Sequence, residues 1–166
     1  MPIVRPDGVE VLVHLVWPVS APETVALTEE AIERCVPYVT RYAETFNVRV
    51  LAVGGVADHL HLLVDLAPAL SLEKTVRDLM VPSERFLRDV LGFGGFAWDV
   101  HGWRATGVSP ADRERVAAYV TEQAARHASG DLDPLLEGLK QTDGEGEKGG
   151  DDLPDWLRGV LNREDE

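Results

Sequence analysis

A short stretch near the middle of the chain alternates histidine with leucine, and it constrains the fold more than any other. Residues 59–64 read His-Leu-His-Leu-Leu-Val, with Gly54-Gly55 before them and Pro68 after them. This pattern predicts a β-strand bounded by turns. Successive side chains of a strand point to opposite faces, so His59 and His61 share one face and the leucines anchor the other. Two imidazoles on a rigid strand can supply half of a divalent-metal site, and polar surface is the plainer alternative.

Length and composition indicate an ordinary globular domain. The chain has 166 residues, of which 45% are hydrophobic, and this is enough for a sizeable core. No apolar run approaches the ~20 residues of a membrane span, and no basic-then-apolar segment opens the chain, so we expect a cytoplasmic protein with no membrane partner. The single cysteine, Cys35, excludes an internal disulfide and a cysteine metal cluster.

The chain is strongly acidic, with a net charge of −13, which does not favour a basic nucleic-acid-binding surface. Residues 137–166 hold ten acidic and four basic residues, a net charge of −6, and residues 1–136 carry the remaining −7. Residues 141–152 contain no hydrophobic residue, which is typical of a disordered linker. We therefore predict a folded domain over residues 1–130 and an acidic, partly disordered tail over 131–166, with a short helix at 153–161.

The order of the predicted elements is β-α-β-β-α-β-α. Strands are predicted over residues 9–17, 47–53 and 59–64 and within 96–108. Helices are predicted between residues 21 and 46, from 71 to 91 and from 109 to 127. Pro37 and Pro82 are expected to kink or break the first two helices. This order predicts an α+β fold in which helices pack on a four-stranded, mainly antiparallel sheet.

The last predicted helix carries a second chemically distinctive pair. Tyr119 and Gln123 are four residues apart and therefore lie one turn apart on the same helix face. A phenol is a useful nucleophile when a metal or a base stabilises its phenolate, and an amide oxygen is a ligand for hard cations such as Mg²⁺ or Mn²⁺. In the plainer interpretation Tyr119 caps the core and Gln123 is solvated.

Taken together, these features resemble the single-tyrosine transposases of the HUH superfamily, which include insertion-sequence and REP-associated tyrosine transposases. The similarity runs in register over residues 11–127. Its strongest elements are the histidine pair and the Tyr119–Gln123 pair at their expected order and spacing. Further matches are His14-Leu15-Val16-Trp17, Ser83-Glu84-Arg85 and Trp98.

The resemblance implies an enzyme that cleaves and rejoins single-stranded DNA during transposition, built on a ferredoxin- or RRM-like sheet with a C-terminal catalytic helix over residues 1–130. His59, His61 and Gln123 would bind one Mg²⁺ or Mn²⁺ ion. Tyr119 would attack the scissile phosphate and form a 5′-phosphotyrosine intermediate. The family further implies a homodimer, in which the tyrosine helix can complete the partner's histidine site, and hairpin-forming element ends as the DNA partner.

Seven other residues are candidates for DNA contact. The cations among them would contact phosphates and the two rings would stack on unpaired bases, whereas ion pairs on a helix and core packing are the plainer alternatives. They are Lys74, Arg77, Arg85, Arg88, His101, Trp103 and Arg104.

Two other functions stay open at this point. Residues 18–22 stand where the family carries a basic cluster, which favours a domesticated relative that binds nucleic acid or a protein without transposing. The third possibility is a metal-dependent phosphoesterase for small molecules, in which Tyr119 only orients the substrate.

Overall fold

The computed structural model describes residues 5–138, so the predicted linker and the predicted helix at 153–161 lie outside the described residues. The strands are β1 (Leu12–Pro18), β2 (Arg49–Val56), β3 (His59–Asp65) and β4 (Arg104–Val108). The α-helices are α1 (Glu29–Glu44), α2 (Leu72–Arg85), α3 (Arg113–Thr121) and α4 (Gln123–Ser129). A π-helical turn, Phe86–Val90, follows α2, and a 3₁₀ turn, Pro110–Asp112, precedes α3.

The four strands form one antiparallel sheet in the order β2-β3-β1-β4, which confirms the predicted α+β fold. The alternation in β3 sorts its side chains as expected. Leu60 and Leu62 are fully buried in the main core, which α1 and α2 cover, whereas His59 and His61 occupy the opposite face, where α3 and α4 pack. One face of the sheet thus holds most of the core, and the other carries the histidines.

The turn before β3 is shorter than predicted. Gly54-Gly55 belong to β2, and only Ala57 and Asp58 turn the chain. The reason is tertiary packing, because α3 crosses β2 at this point. A β-carbon on Gly54 would lie 2.0 Å from the carbonyl oxygen of Val120, so only glycine allows this close approach.

The expected breaks at the two helix prolines do not occur. α1 is continuous through Pro37, and α2 is continuous through Pro82. A proline inside a helix removes one hydrogen bond, yet each of these helices buries a long apolar face against the sheet. Irregular structure follows α2 instead, as the π-helical turn Phe86–Val90.

The predicted C-terminal catalytic helix is two helices rather than one. Glu122 has φ −92° and ψ 16°, and this conformation separates α3 from α4. After Gly130, whose φ of 76° ends α4, residues 131–138 return over α3. Leu136 is buried there beside Tyr119, Val116 and Val120, so the chain stays packed beyond the predicted domain boundary at residue 130, which itself stays a prediction.

Within residues 5–138, no helix combines the length and the hydrophobicity that crossing a bilayer requires. The cytoplasmic location stays a prediction.

Candidate active site

The two histidines of β3 lie side by side, with ring centroids 4.8 Å apart. Each has its Nδ1 atom occupied by a neighbour. The Nδ1 atom of His59 donates to the Asp58 carboxylate at 2.6 Å, and the Nδ1 atom of His61 lies 2.8 Å from the Nε2 atom of His14. Such partners fix the ring orientation of metal-binding histidines, and they leave both Nε2 atoms facing the site.

His14, which comes from β1, is buried against His61. Burial and the adjacent His61 imidazole lower the pKa of His14 to about 4, and burial lowers the pKa of His61. Both rings are therefore neutral near pH 7, the form in which an imidazole binds a metal ion. The sequence placed His14 in a matching motif without a role, and the strand pairing supplies one.

Two residues absent from the sequence predictions complete the cluster. α4 carries His127, whose ring centroid lies 5.0 Å from that of His59. Glu137 follows α4, and its Oε2 atom lies 3.1 Å from the Nε2 atom of His59, 3.5 Å from that of His61 and 3.3 Å from that of His127. The Glu137 carboxylate therefore stands between three imidazoles.

His127 had a detectable signal in the sequence, because it follows Gln123 by four residues and Tyr119 by eight. Glu137 had none, since it begins an acidic region with no periodic pattern.

The Tyr119 phenol lies against the same cluster, with its ring centroid 6.1 Å from that of His61. Its hydroxyl donates to the Glu137 carboxylate and accepts from the backbone N–H of Asp133 at 3.1 Å. Burial and the hydrogen bond to Glu137 raise the pKa of Tyr119 to about 12. The phenol is therefore protonated and covered in this arrangement.

Gln123, the remaining predicted ligand, is completely buried. Its side-chain nitrogen donates to the Tyr119 backbone carbonyl at 3.0 Å, which ties it to α3. Its Oε1 atom is buried and has no hydrogen-bond partner in the part of the chain that the structure describes. A buried amide oxygen without a partner is costly, and a cation would satisfy it.

The residues present fit a divalent metal ion. The Nε2 atoms of His59, His61 and His127 are also buried without a hydrogen bond from residues 5–138. The donor atoms of His59, His127 and Glu137 all lie within 4.8 Å of one another. Imidazole nitrogens and a carboxylate are ordinary ligands for divalent ions. Several such atoms that lie close together without hydrogen-bond partners indicate an ion site.

Three of the predicted DNA-contact residues line a groove of about 710 Å³ between α2 and the loop before β4. These are Arg77, His101 and Trp103. The groove also contains Val81 and Val100, both about half exposed. An aromatic ring beside a cation and exposed apolar surface is an arrangement that suits unpaired bases.

The other predicted contacts are dispersed. Lys74 pairs with Asp78 and Arg88 pairs with Glu84 at 3.2 Å, both along their own helical segment, as Arg77 does with Glu73 at 2.9 Å. Arg85 lines a second groove beside Tyr38 and Tyr42. Arg104 packs against Gly138, just after Glu137.

Two of the matching sequence segments have structural roles. The indole nitrogen of Trp98 donates to the Ser83 hydroxyl at 3.1 Å, and the Trp98 backbone N–H donates to Glu84 at 3.0 Å. These bonds fasten the loop before β4 to α2.

A comparison with protein families decides the assignment. The family model described as "Transposase IS200 like" matches residues 9–123, which is more than half of the chain. The chain belongs to the IS200-like transposase family. The predicted family resemblance and a role in transposition are thereby confirmed at this level.

Two solved structures are similar to this IS200-like transposase, and the first of them is consistent with its fold. The first is a Deinococcus radiodurans R1 protein described as a transposase, with 21% sequence identity and a TM-score of 0.55. The match spans 74% of this chain and 98% of the Deinococcus chain. A REP-associated tyrosine transposase bound to a REP hairpin is 11% identical, covers 90% of this chain and 94% of its own, and has a TM-score of 0.48. No curated protein sequence matches the chain.

Proposed function

We propose that this chain is a metal-dependent endonuclease and strand transferase that acts on single-stranded DNA through Tyr119. One observation carries the proposal. The hydroxyl of Tyr119 and the Nε2 atoms of His59 and His61 converge on a single buried group, the Glu137 carboxylate. A nucleophile and cation-binding imidazoles around one anion form the arrangement that phosphoryl transfer needs.

The proposed reaction is the one that the family resemblance implies for Tyr119. The Tyr119 oxygen attacks the scissile phosphorus, a new phosphorus–oxygen bond forms, and the bond from phosphorus to the 3′-oxygen breaks. The phenol loses its proton, the 3′-oxygen gains one, and the product is a 5′-phosphotyrosine with a free 3′-hydroxyl. Attack by a 3′-hydroxyl on this link rejoins DNA and releases Tyr119. One phosphodiester replaces another, so no outside energy source is needed.

Histidines 59 and 61, together with Gln123, are the proposed protein ligands of one Mg²⁺ or Mn²⁺ ion, and the buried free oxygen of Gln123 supports its inclusion. When bound, the ion would neutralise the charge that develops on the phosphate. Asp58 and His14 hold the two imidazoles in the orientation that this role needs.

The Glu137 carboxylate suggests where the substrate lies. It is an anion that accepts a hydrogen bond from Tyr119 and lies among the imidazoles, as a phosphate oxygen would. Burial by itself raises the pKa of Glu137, yet the adjacent His61 and His59 imidazoles and the hydrogen bond from Tyr119 lower it to about 2, so this group is ionised. A scissile phosphate would take the same position after residues 131–138 move away.

The proposed partners are hairpin-forming single-stranded DNA and a second copy of the chain. The groove that contains Trp103, His101 and Arg77 supplies stacking and one cation for the DNA. Tyr119 already lies beside a histidine of its own chain, so the proposed dimer does not depend on an exchange of α3.

A specific observation favours the domesticated relative as the second candidate. Lys74 and Arg77, on α2, are each paired with an acid of the same helix, so less of their charge is available for phosphates. Such a protein would bind nucleic acid or a protein partner without transposing.

The deciding experiment uses a hairpin-forming DNA pool labelled at its 3′ ends, because the 3′ fragment carries the 5′-phosphotyrosine. With Mn²⁺ or Mg²⁺, the wild-type protein is expected to become covalently labelled, and Tyr119→Phe is expected to remain unlabelled while it keeps its fold and metal binding. Tyr42→Phe is the matched control at an exposed tyrosine. Labelling of Tyr119→Phe would show that another nucleophile acts, and binding without labelling of the wild type would favour the domesticated relative.

A further inference from the structure

We propose that His127 and Glu137 are further metal ligands beside His59, His61 and Gln123, and that a centre with three imidazoles and one carboxylate prefers a transition-metal ion to Mg²⁺. The inference rests on the proposed function only for the location of the metal centre. Both residues lie beyond residues 9–123, the part that matches the family. The family match therefore assigns neither residue a role.

The spacing of the donor atoms supports this assignment. The Oε2 atom of Glu137 lies 3.1 to 3.5 Å from three imidazole nitrogens. Around a four-coordinate ion with bonds of about 2.0–2.1 Å, neighbouring donor atoms stand about 3.4 Å apart. The distances from the Glu137 oxygen to the three imidazole nitrogens are compatible with this spacing.

The hydrogen-bonding capacity of these groups leads to the same conclusion. The Nδ1 atom of His59 is bonded to Asp58, so the Nε2 atom is the one that faces the Glu137 oxygen, 3.1 Å away. Since none of the three Nε2 atoms makes a hydrogen bond within residues 5–138, a single ion would satisfy them together.

The types of donor determine the class of metal. Mg²⁺ prefers oxygen ligands and retains several waters, whereas imidazole nitrogens suit Mn²⁺, Zn²⁺ and other transition metals. Addition of a third imidazole to a site with two imidazoles and one amide therefore moves the preference away from Mg²⁺. The carboxylate also adds a negative charge that strengthens binding of any divalent cation.

Glu137 would then link the metal to the nucleophile, because its other oxygen accepts the hydrogen bond from Tyr119. In this closed arrangement the centre is filled by protein ligands, and the phenol is held in its protonated form. The scissile phosphate would replace Glu137 in both of its contacts, with the metal ion and with the Tyr119 hydroxyl.

The test is calorimetric titration of the metal-free full-length chain with MnCl₂, ZnCl₂ or MgCl₂, without DNA. We expect wild-type protein to bind Mn²⁺ and Zn²⁺ at least about tenfold more tightly than Mg²⁺. Glu137→Gln and His127→Gln should each weaken Mn²⁺ binding by roughly tenfold or more. The matched control, Glu114→Gln, changes an exposed residue outside the cluster and should bind Mn²⁺ as the wild type does.

Wild-type Mn²⁺ affinity in both Glu137→Gln and His127→Gln would overturn the inference. His61→Gln then separates the two proposals. If His61→Gln loses Mn²⁺ binding, the metal centre consists of the originally proposed ligands and the proposed function stands. If His61→Gln retains Mn²⁺ binding, the metal does not bind at this site and the proposed function fails as well. Pulsed electron paramagnetic resonance of the Mn²⁺-loaded wild type counts the coordinated imidazoles without any substitution: three are expected, and two would overturn the assignment of His127.

Discussion

The Nε2 atom of His14 lies 2.8 Å from the Nδ1 atom of His61, and this contact sets the direction in which His61 presents its other nitrogen. We predict that His14→Phe, which keeps a ring but loses the hydrogen bond, lowers the affinity for Mn²⁺ by about 10–100-fold. Calorimetric titration measures the change, and circular dichroism checks the fold. Unchanged affinity in a folded variant would mean that the His61 ring is held by packing alone.

Gly54 allows α3 to approach β2, because any β-carbon would meet the Val120 carbonyl oxygen at 2.0 Å. We predict that Gly54→Ala lowers the free energy of unfolding by about 1–3 kcal/mol through overpacking. Urea denaturation measures this loss. The control is Gly107→Ala, since nothing lies within 4 Å of a β-carbon at that glycine. Equal stability of the two variants would contradict the argument.

Asp65 is buried, which by itself raises its pKa, yet hydrogen bonds from Arg5, the Val11 backbone and Arg49 lower that pKa overall. A carboxyl with a depressed pKa stabilises the fold at pH values above its unfolded pKa of about 3.9, and this stability is lost as the pH falls through the folded pKa. We predict that Asp65→Asn destabilises the protein at pH 7 and that the difference from wild type shrinks below about pH 4. Thermal unfolding across this pH range tests it, with the exposed Asp89→Asn as control. A constant difference at all pH values would contradict the prediction.

Leu136 anchors residues 131–138 against α3. Leu136→Ala should lower the free energy of local opening of this segment by about 2–5 kcal/mol. The open state should therefore be populated at least about tenfold more than in the wild type. Hydrogen exchange reports this directly at the Asp133 amide, which donates to the Tyr119 hydroxyl. Leu135→Ala, at a residue 58% exposed, is the matched control. Identical protection of the Asp133 amide in both variants would show that Leu136 does not hold the segment in place.

Trp103 lies in the groove with Arg77 and His101. We predict that Trp103→Ala weakens binding of hairpin DNA by about 1–3 kcal/mol, the typical contribution of stacking one base. Val90→Ala, at an exposed apolar residue that does not line this groove, is the control. Fluorescence anisotropy of labelled DNA measures both, and equal affinity would exclude Trp103 from the interface.

The sequence predicted the parts of the fold that depend on local periodicity. The alternation in β3 is visible because Leu60 and Leu62 face the main core whereas His59 and His61 face α3 and α4, and the element order then follows. Tertiary contacts decided the rest. Gly54-Gly55 has the composition of a turn, yet it lies in a strand because α3 needs room there.

The candidate site divides in the same way. The resemblance indicated His59, His61, Tyr119 and Gln123, and the structure places Tyr119 beside His61. His14 reaches His61 because β1 pairs with β3 in a particular register. The residues of the two strands do not by themselves specify that register. The position of Glu137 depends on the buried Leu136 next to it, and an isolated leucine in an acidic region carries no signal of its own.

The two-sided sheet has a consequence for the history of such proteins. The leucines of β3 that build the core alternate with the histidines that face α3 and α4, so within this strand the residues needed for folding and those proposed for chemistry are different. A lineage can therefore lose its reaction through one or two substitutions and still inherit a sound scaffold, on which selection is free to act for another purpose.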